Sequence, residues 1–131
     1  MMTGLYVKLT TDQAAGSFYD DLTGRIYRTQ GPDDAPFPLC VFFVVSDTPP
    51  RFFGSREDIE ADIQIDLVGD KGTSETALQT TQNKLLLLLD NAALTITGFL
   101  GGTIQCTNRG DVEIVDQRPI ITSLWTLTAG Q

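Results

Sequence analysis

The sequence predicts an α+β fold: a mostly antiparallel β-sheet with a long amphipathic helix, about 74–90, packed on one face and a helical region at the N-terminus. Three observations carry this. From Ile59 to Leu67 apolar and polar residues alternate without a break, so alternate side chains point to opposite faces of a half-buried strand. The turn Gly69-Asp70-Lys71-Gly72 follows, and then Thr73-Ser74-Glu75 opens a run to Leu89 with apolar residues at helical spacing. The remaining segments are short, strand-like and separated by turn residues.

Taken in order, residues 4–22 are weakly helical, with Leu5, Leu9, Phe18 and Leu22 available for one face. Gly16 interrupts them, so one helix broken near Thr11-Asp12 and two short helices fit equally, with Gly24 as the stop. Arg25 to Arg28 is a short strand, and Gln30 to Pro38, with Pro32, Pro36 and Pro38, is a stiff loop. Leu39 to Val45 is apolar throughout, which predicts a central strand covered on both faces. Ser46 to Arg56 reads as the loop that closes a long hairpin. In the helix, Ala77, Leu78, Thr81, Leu85, Leu88 and Leu89 share a face, leaving Leu86 and Leu87 for a second surface or for solvent. Short strands follow at 94–97, 103–106 and 112–115, with Asn108-Arg109-Gly110-Asp111 as a turn. The last strand is Ile120 to Leu127, and residues 128–131 are a frayed tail.

A length of 131 residues suits one domain, 1–131, with a core large enough to need no staple. The two cysteines, Cys40 and Cys106, match no metal spacing and are expected as reduced, buried thiols. Nine Lys plus Arg against 17 Asp plus Glu give a net charge of −8, which argues against coating nucleic acid or an anionic membrane. The N-terminus lacks the basic and apolar regions of a signal peptide, and no apolar run is long enough to span a bilayer.

Catalytic chemistry finds no foothold. With no histidine there is no ordinary base for a nucleophile, and no phosphate loop, dinucleotide fingerprint or EF-hand spacing occurs. The acidic pairs Asp20-Asp21, Asp33-Asp34 and Glu57-Asp58 sit where solvation or capping accounts for them. The expectation is a protein that is not an enzyme and uses no metal or cofactor. Candidate partner-binding residues are Arg51, Phe52, Phe53 and Arg56 in the 46–56 loop, and Pro36 and Phe37 in the proline loop, since aromatic and arginine side chains make good anchors. For Phe52-Phe53 the alternative is a fold-back onto the core. The wet face of the alternating strand carries Glu60, Asp62, Gln64 and Asp66.

The order of these elements resembles the small tail terminators, or tail-completion proteins, of long-tailed bacteriophages and phage-like particles. The resemblance rests on the helical N-terminus running into Gly24-Arg25-Ile26-Tyr27 and on the proline-rich entry Ala35-Pro36-Phe37-Pro38 to the apolar strand. It rests further on the strand–turn–helix unit from Ile59 to Leu89 and the final strand through Ser123-Leu124-Trp125-Thr126-Leu127. The Phe52-Phe53 segment and the leucine-heavy helix end depart from the family pattern. The resemblance implies a structural virion protein, assembled in the bacterial host cytoplasm and placed at the head–tail junction. It would form a six-membered ring that caps the tail tube, stops its growth and joins the tail to a neck protein. Its partners would be further copies of itself, the tube protein, the neck or head-completion protein, and double-stranded DNA passing through the lumen without sequence-specific contacts; no membrane is implied. In that setting Glu60, Asp62 and Asp66 are candidates for an acidic lumen wall, with an ordinary solvated face as the plain alternative. The competing functional reading is an α+β module that binds a small ligand or peptide, or another neck or head-completion protein.

Overall fold

The computed structural model describes the backbone of residues 2–31, 36–53, 56–94 and 101–130, and the side chains of 4–31, 36–45, 60–94 and 102–129. It is a mixed α+β fold built on one mostly antiparallel sheet of seven strands. Two short helices come first, α1 (Met2–Thr11) and α2 (Phe18–Asp21). Strands β1 (Ile26–Arg28), β2 (Leu39–Phe53) and β3 (Arg56–Val68) lead to helix α3 (Glu75–Leu89). Strands β4 (Ala92–Leu94), β5 (Gly101–Asn108), β6 (Val112–Val115) and β7 (Arg118–Gly130) complete the sheet. The spatial order is β1-β2-β3-β7-β5-β4, with β6 beside the lower part of β7. Among the described residues only β1 and β2 pair in parallel, and every other ladder is antiparallel.

The alternation of β3 sorts its two faces as expected. Ala61, Ile63, Ile65 and Leu67 are buried, and they meet Phe42, Cys40, Ile121, Trp125 and Leu127 from neighbouring strands in one core. Leu5 and Leu9 of α1, Phe18 and Leu22 around α2, and Leu78, Leu85 and Leu89 of α3 close over that face. Helix α3 starts where its cap predicts: the Ser74 hydroxyl accepts the Ala77 N–H at 3.1 Å. It is tied to α2 by Lys84, whose Nζ lies 2.8 Å from Asp21 Oδ2, and by the Thr81 hydroxyl, which donates to the same oxygen at 3.2 Å. The sole tryptophan is fully buried and donates its indole N–H to Ser123 Oγ at 2.8 Å, so its polar atom is satisfied inside the core.

Several sequence expectations need correction. The 46–56 loop is strand: β2 continues to Phe53 and β3 begins at Arg56, leaving only residues 54 and 55 between them. Pro49 and Pro50 do not end β2 because its outer side there has no partner strand among the described residues, and a register shift between Thr48 and Arg51 absorbs them. Leu39–Val45 is not covered on both faces: Cys40 and Phe42 are buried under the helices, whereas Val41 and Phe43 on the opposite face are only half-buried, and Val45 is exposed. β1 flanks it only as far as Phe42. The supposed tail is also strand, since β7 runs to Gly130 between Asp58 of β3 and Gly101 of β5; local sequence gives no sign of pairing on both sides. On α3, Ala77 is exposed and Gln82 is buried in place of it, because Gln82 turns its amide toward the carbonyl of Arg109. The predicted strand 94–97 is seen only to Leu94; the rest lies outside the described residues.

Candidate functional site

The helix-free face of the sheet gathers the even-numbered residues of β3. Register places Asp66 between Val41 and Thr122, Gln64 between Phe43 and Leu124, Asp62 beside Thr126, and Glu60 beside Thr128. Glu60, Asp62 and Asp66 therefore form a column two strand positions apart or more, flanked on β7 by a column of threonines. Thr122 donates to Asp66 Oδ1 at 2.8 Å, Gln64 Nε2 to the same oxygen at 3.0 Å, and Thr126 to Asp62 Oδ1 at 3.2 Å. Thr103 and Gln105 of β5 extend the face beyond Thr128 and Thr126. The surface thus combines carboxylates held by neutral hydroxyl and amide donors with the apolar side chains of Val41, Phe43 and exposed Leu124 beside them. It offers acceptors and negative charge to whatever faces it, with no nucleophile beside a base.

The two proposed anchor regions fare differently. The backbones of Arg51, Phe52, Phe53 and Arg56 form the end of the β2–β3 hairpin, with Phe53 paired to Arg56; their side chains lie outside the described residues. Pro36 is exposed, but Phe37 is half-buried and held internally. The Arg118 guanidinium carbon stands 4.3 Å from the centre of its ring, and Arg25 donates to the carbonyl oxygens of Pro38 at 2.9 Å and Phe37 at 3.3 Å. Arg118 Nε is buried without a hydrogen-bond partner among the described residues, and the electron-rich ring face lies against its guanidinium. Phe37 is a clamp between two arginines, and of this pair only Pro36 stands open.

Sequence reading missed the cleft between α3 and the β5–β6 connection. Gln79, Gln82, Asn83, Asn108, Arg109, Gly110, Asp111 and Val112 line a cavity of about 390 Å³. Gln82 donates to the carbonyl of Arg109, Arg109 donates to Asn83, and Asn108 Oδ1 accepts the Gly110 N–H at 3.0 Å. The Arg-Gly-Asp tripeptide is thereby explained by local architecture. Gly110 has φ +62°, and a Cβ there would lie 1.9 Å from the carbonyl oxygen of Thr122. It also missed the exposed aliphatic pair on β6, Ile114 (55% exposed) and Val115 (43%). The only hint was two β-branched residues in a row after a turn.

The cysteines are both free. Cys40 is buried, and burial together with the nearby Asp66 carboxylate pushes its thiol pKa far up, so it stays protonated and inert. Cys106 is only half-buried, contrary to expectation, because β4 covers β5 only as far as Ile104; burial and Asp90 raise its pKa as well. Among the described residues no group of three His, Cys, Asp or Glu could hold a metal ion, and no helix is long and apolar enough to cross a membrane.

No protein-family model and no curated protein matches the sequence. Solved structures do. A chain in the structure titled "Virion of native gene transfer agent (GTA) particle" superposes with a TM-score of 0.77 at 11% identity, covering 100% of this chain and 95% of that one. A second solved chain superposes with a TM-score of 0.58 at 13% identity, over 82% of this chain and 79% of its own length. At these identities the likeness is one of fold, and in the first case it extends over both chains nearly end to end.

Proposed function

We propose that this chain is a structural protein of a phage-like virion, and more narrowly a tail terminator: a ring of six copies that caps the tail tube, halts its polymerisation and receives the neck of the DNA-filled head. The observation that carries the reading is the end-to-end fold likeness to a chain of a gene transfer agent virion. The element order read from the sequence points the same way independently.

The helix-free face gives the ring a use for its charge. A wall of carboxylates held by threonines presents oxygen atoms and negative charge to DNA phosphate, so the duplex meets repulsion and no adhesive contact as it slides through. Glu60, Asp62 and Asp66 take that role in the proposal. A tube-stacking surface on one side of the ring and a different surface on the other is what stops growth, because a head-to-tail assembly extends only where its two ends match.

The test is assembly. Purified tail-tube protein is polymerised with and without this chain, and tube length and native mass are measured. Tubes that stop growing and carry a six-copy ring at one end are the expected result. Tubes of unchanged length, with no copy of this chain bound to them, would overturn the reading.

A further inference from the structure

The two edges of the sheet are complementary to each other at one level. The ladders place Ile26 of β1, Cys40 of β2, Leu67 of β3, Ile121 of β7 and Val112 of β6 in a single row across the sheet. β1 and β6 are the two ends of that row, and neither has a strand on its outer side among the described residues. Their directions are opposite: β1 runs with β2, and β6 runs against β7, which itself runs with β2. A second copy set beside the first, turned about an axis along the strands, therefore brings β6 against β1 in antiparallel orientation, the more favourable pairing.

Side chains at these edges match as well. β1 ends in exposed Arg28, two positions beyond the shared row, and in the antiparallel approach it comes beside exposed Asp111, one position beyond Val112 on the same side of that row; exposed Glu113 and Asp116 add to the negative charge of the β6 edge. Seven large apolar side chains are exposed among the described residues, and four of them flank the two edges: Tyr6 and Val7 on α1, which packs against β1, and Ile114 and Val115 on β6. Of the other free edges, β4 lies level with Leu127 to Ala129 of β7, well away from that row, and runs in the same direction as β1, and β2 beyond Phe42 is blunted. Two register shifts and the Pro49-Pro50 pair interrupt it, devices that keep strands from adding there. β1 and β6 contain neither a proline nor a register shift.

We infer that the β1 edge of one copy, with Arg28, Tyr6 and Val7, docks on the β6 edge of the next, with Asp111, Ile114 and Val115. The contact uses different surfaces on the two partners, so it repeats head to tail and closes a ring when the rotation fits. This inference rests on the ring proposed above and assigns the surfaces that close it.

Charge exchange tests it. Arg28→Glu and Asp111→Arg are made singly and together, with circular dichroism to establish folding, and assembly is followed by native mass spectrometry with tube protein present. Each single variant is expected to raise the concentration for half-assembly at least tenfold, and the double variant to return it to within about threefold of the parent. In a Cys106→Ser background, Tyr27→Cys combined with Asp111→Cys, which the shared row sets opposite each other, should give an oxidised ladder of covalent oligomers. Folded single variants that assemble like the parent, or a cysteine pair that never cross-links in assembled rings, would overturn the edge assignment and leave the ring reading standing. A parent chain that never self-associates, alone or on tubes, would remove both.

Discussion

The two faces of this sheet are made from the same strands, yet they carry opposite kinds of information. On β3, Ile63 and Ile65 point into a core closed by three helices, while Asp62, Gln64 and Asp66, their immediate neighbours, point to a surface no helix covers. The covered face is held by burial of apolar surface, a large and non-directional term. The open face is held by single hydrogen bonds such as Thr122 to Asp66, each worth little net because water competes for the same groups. Substitutions on the first face should thus be read in stability, and those on the second in the contact with DNA that the proposed function gives it.

The covered face should be most sensitive at Trp125. It is the largest fully buried side chain, and its indole N–H is satisfied by Ser123. Trp125→Ala should cost about 3–5 kcal/mol through the cavity it leaves. Urea denaturation followed by circular dichroism would measure it. A loss below about 1 kcal/mol would mean that this face does not form the core.

How far the two faces could be read beforehand follows from the range of the interactions. The alternation from Ile59 to Leu67 exposes the facing of β3 because burial acts on each residue in turn, and the Ser74 cap was legible because its partner is three residues away. The Phe37–Arg118 contact joins residues far apart in the chain, and nothing near either one announces it. The parallel pairing of β1 with β2 and the strand at residues 128–130 depend on neighbours that only the completed sheet supplies. The acidic column was visible as a list of residues, whereas the threonines that hold it come from β7 and were not.

Gly110 lies where the covered face meets the cleft, and its effect should be next in size. An alanine there combines an unfavourable backbone conformation with a contact on Thr122 that the main chain itself must relieve. Gly110→Ala is expected to destabilise by about 2–3 kcal/mol. If thermal unfolding shows no loss, the turn adopts a different conformation and the cleft it borders is not rigid.

Ser74→Ala sharpens the comparison at an intermediate level. It leaves both faces intact and removes only the hydroxyl that accepts the Ala77 N–H at the start of α3. The expected cost is about 1 kcal/mol, visible as a shift of the urea midpoint at unchanged slope.

The smallest stability effect and the largest functional one should coincide on the open face. Glu60→Gln together with Asp62→Asn removes two charges from the acidic column while keeping side-chain size and an acceptor for Thr126. Both residues are exposed, so stability should stay within about 0.5 kcal/mol. In the proposed ring, lumen repulsion depends on those charges. Joined particles carrying the double variant should eject DNA more slowly than the parent at low salt, and the difference should vanish at high salt, which screens the parent's carboxylates from the phosphates. An ejection rate indifferent to both the substitutions and the salt would place the acidic face away from DNA. Its even spacing of carboxylates and threonines would then serve solvation alone.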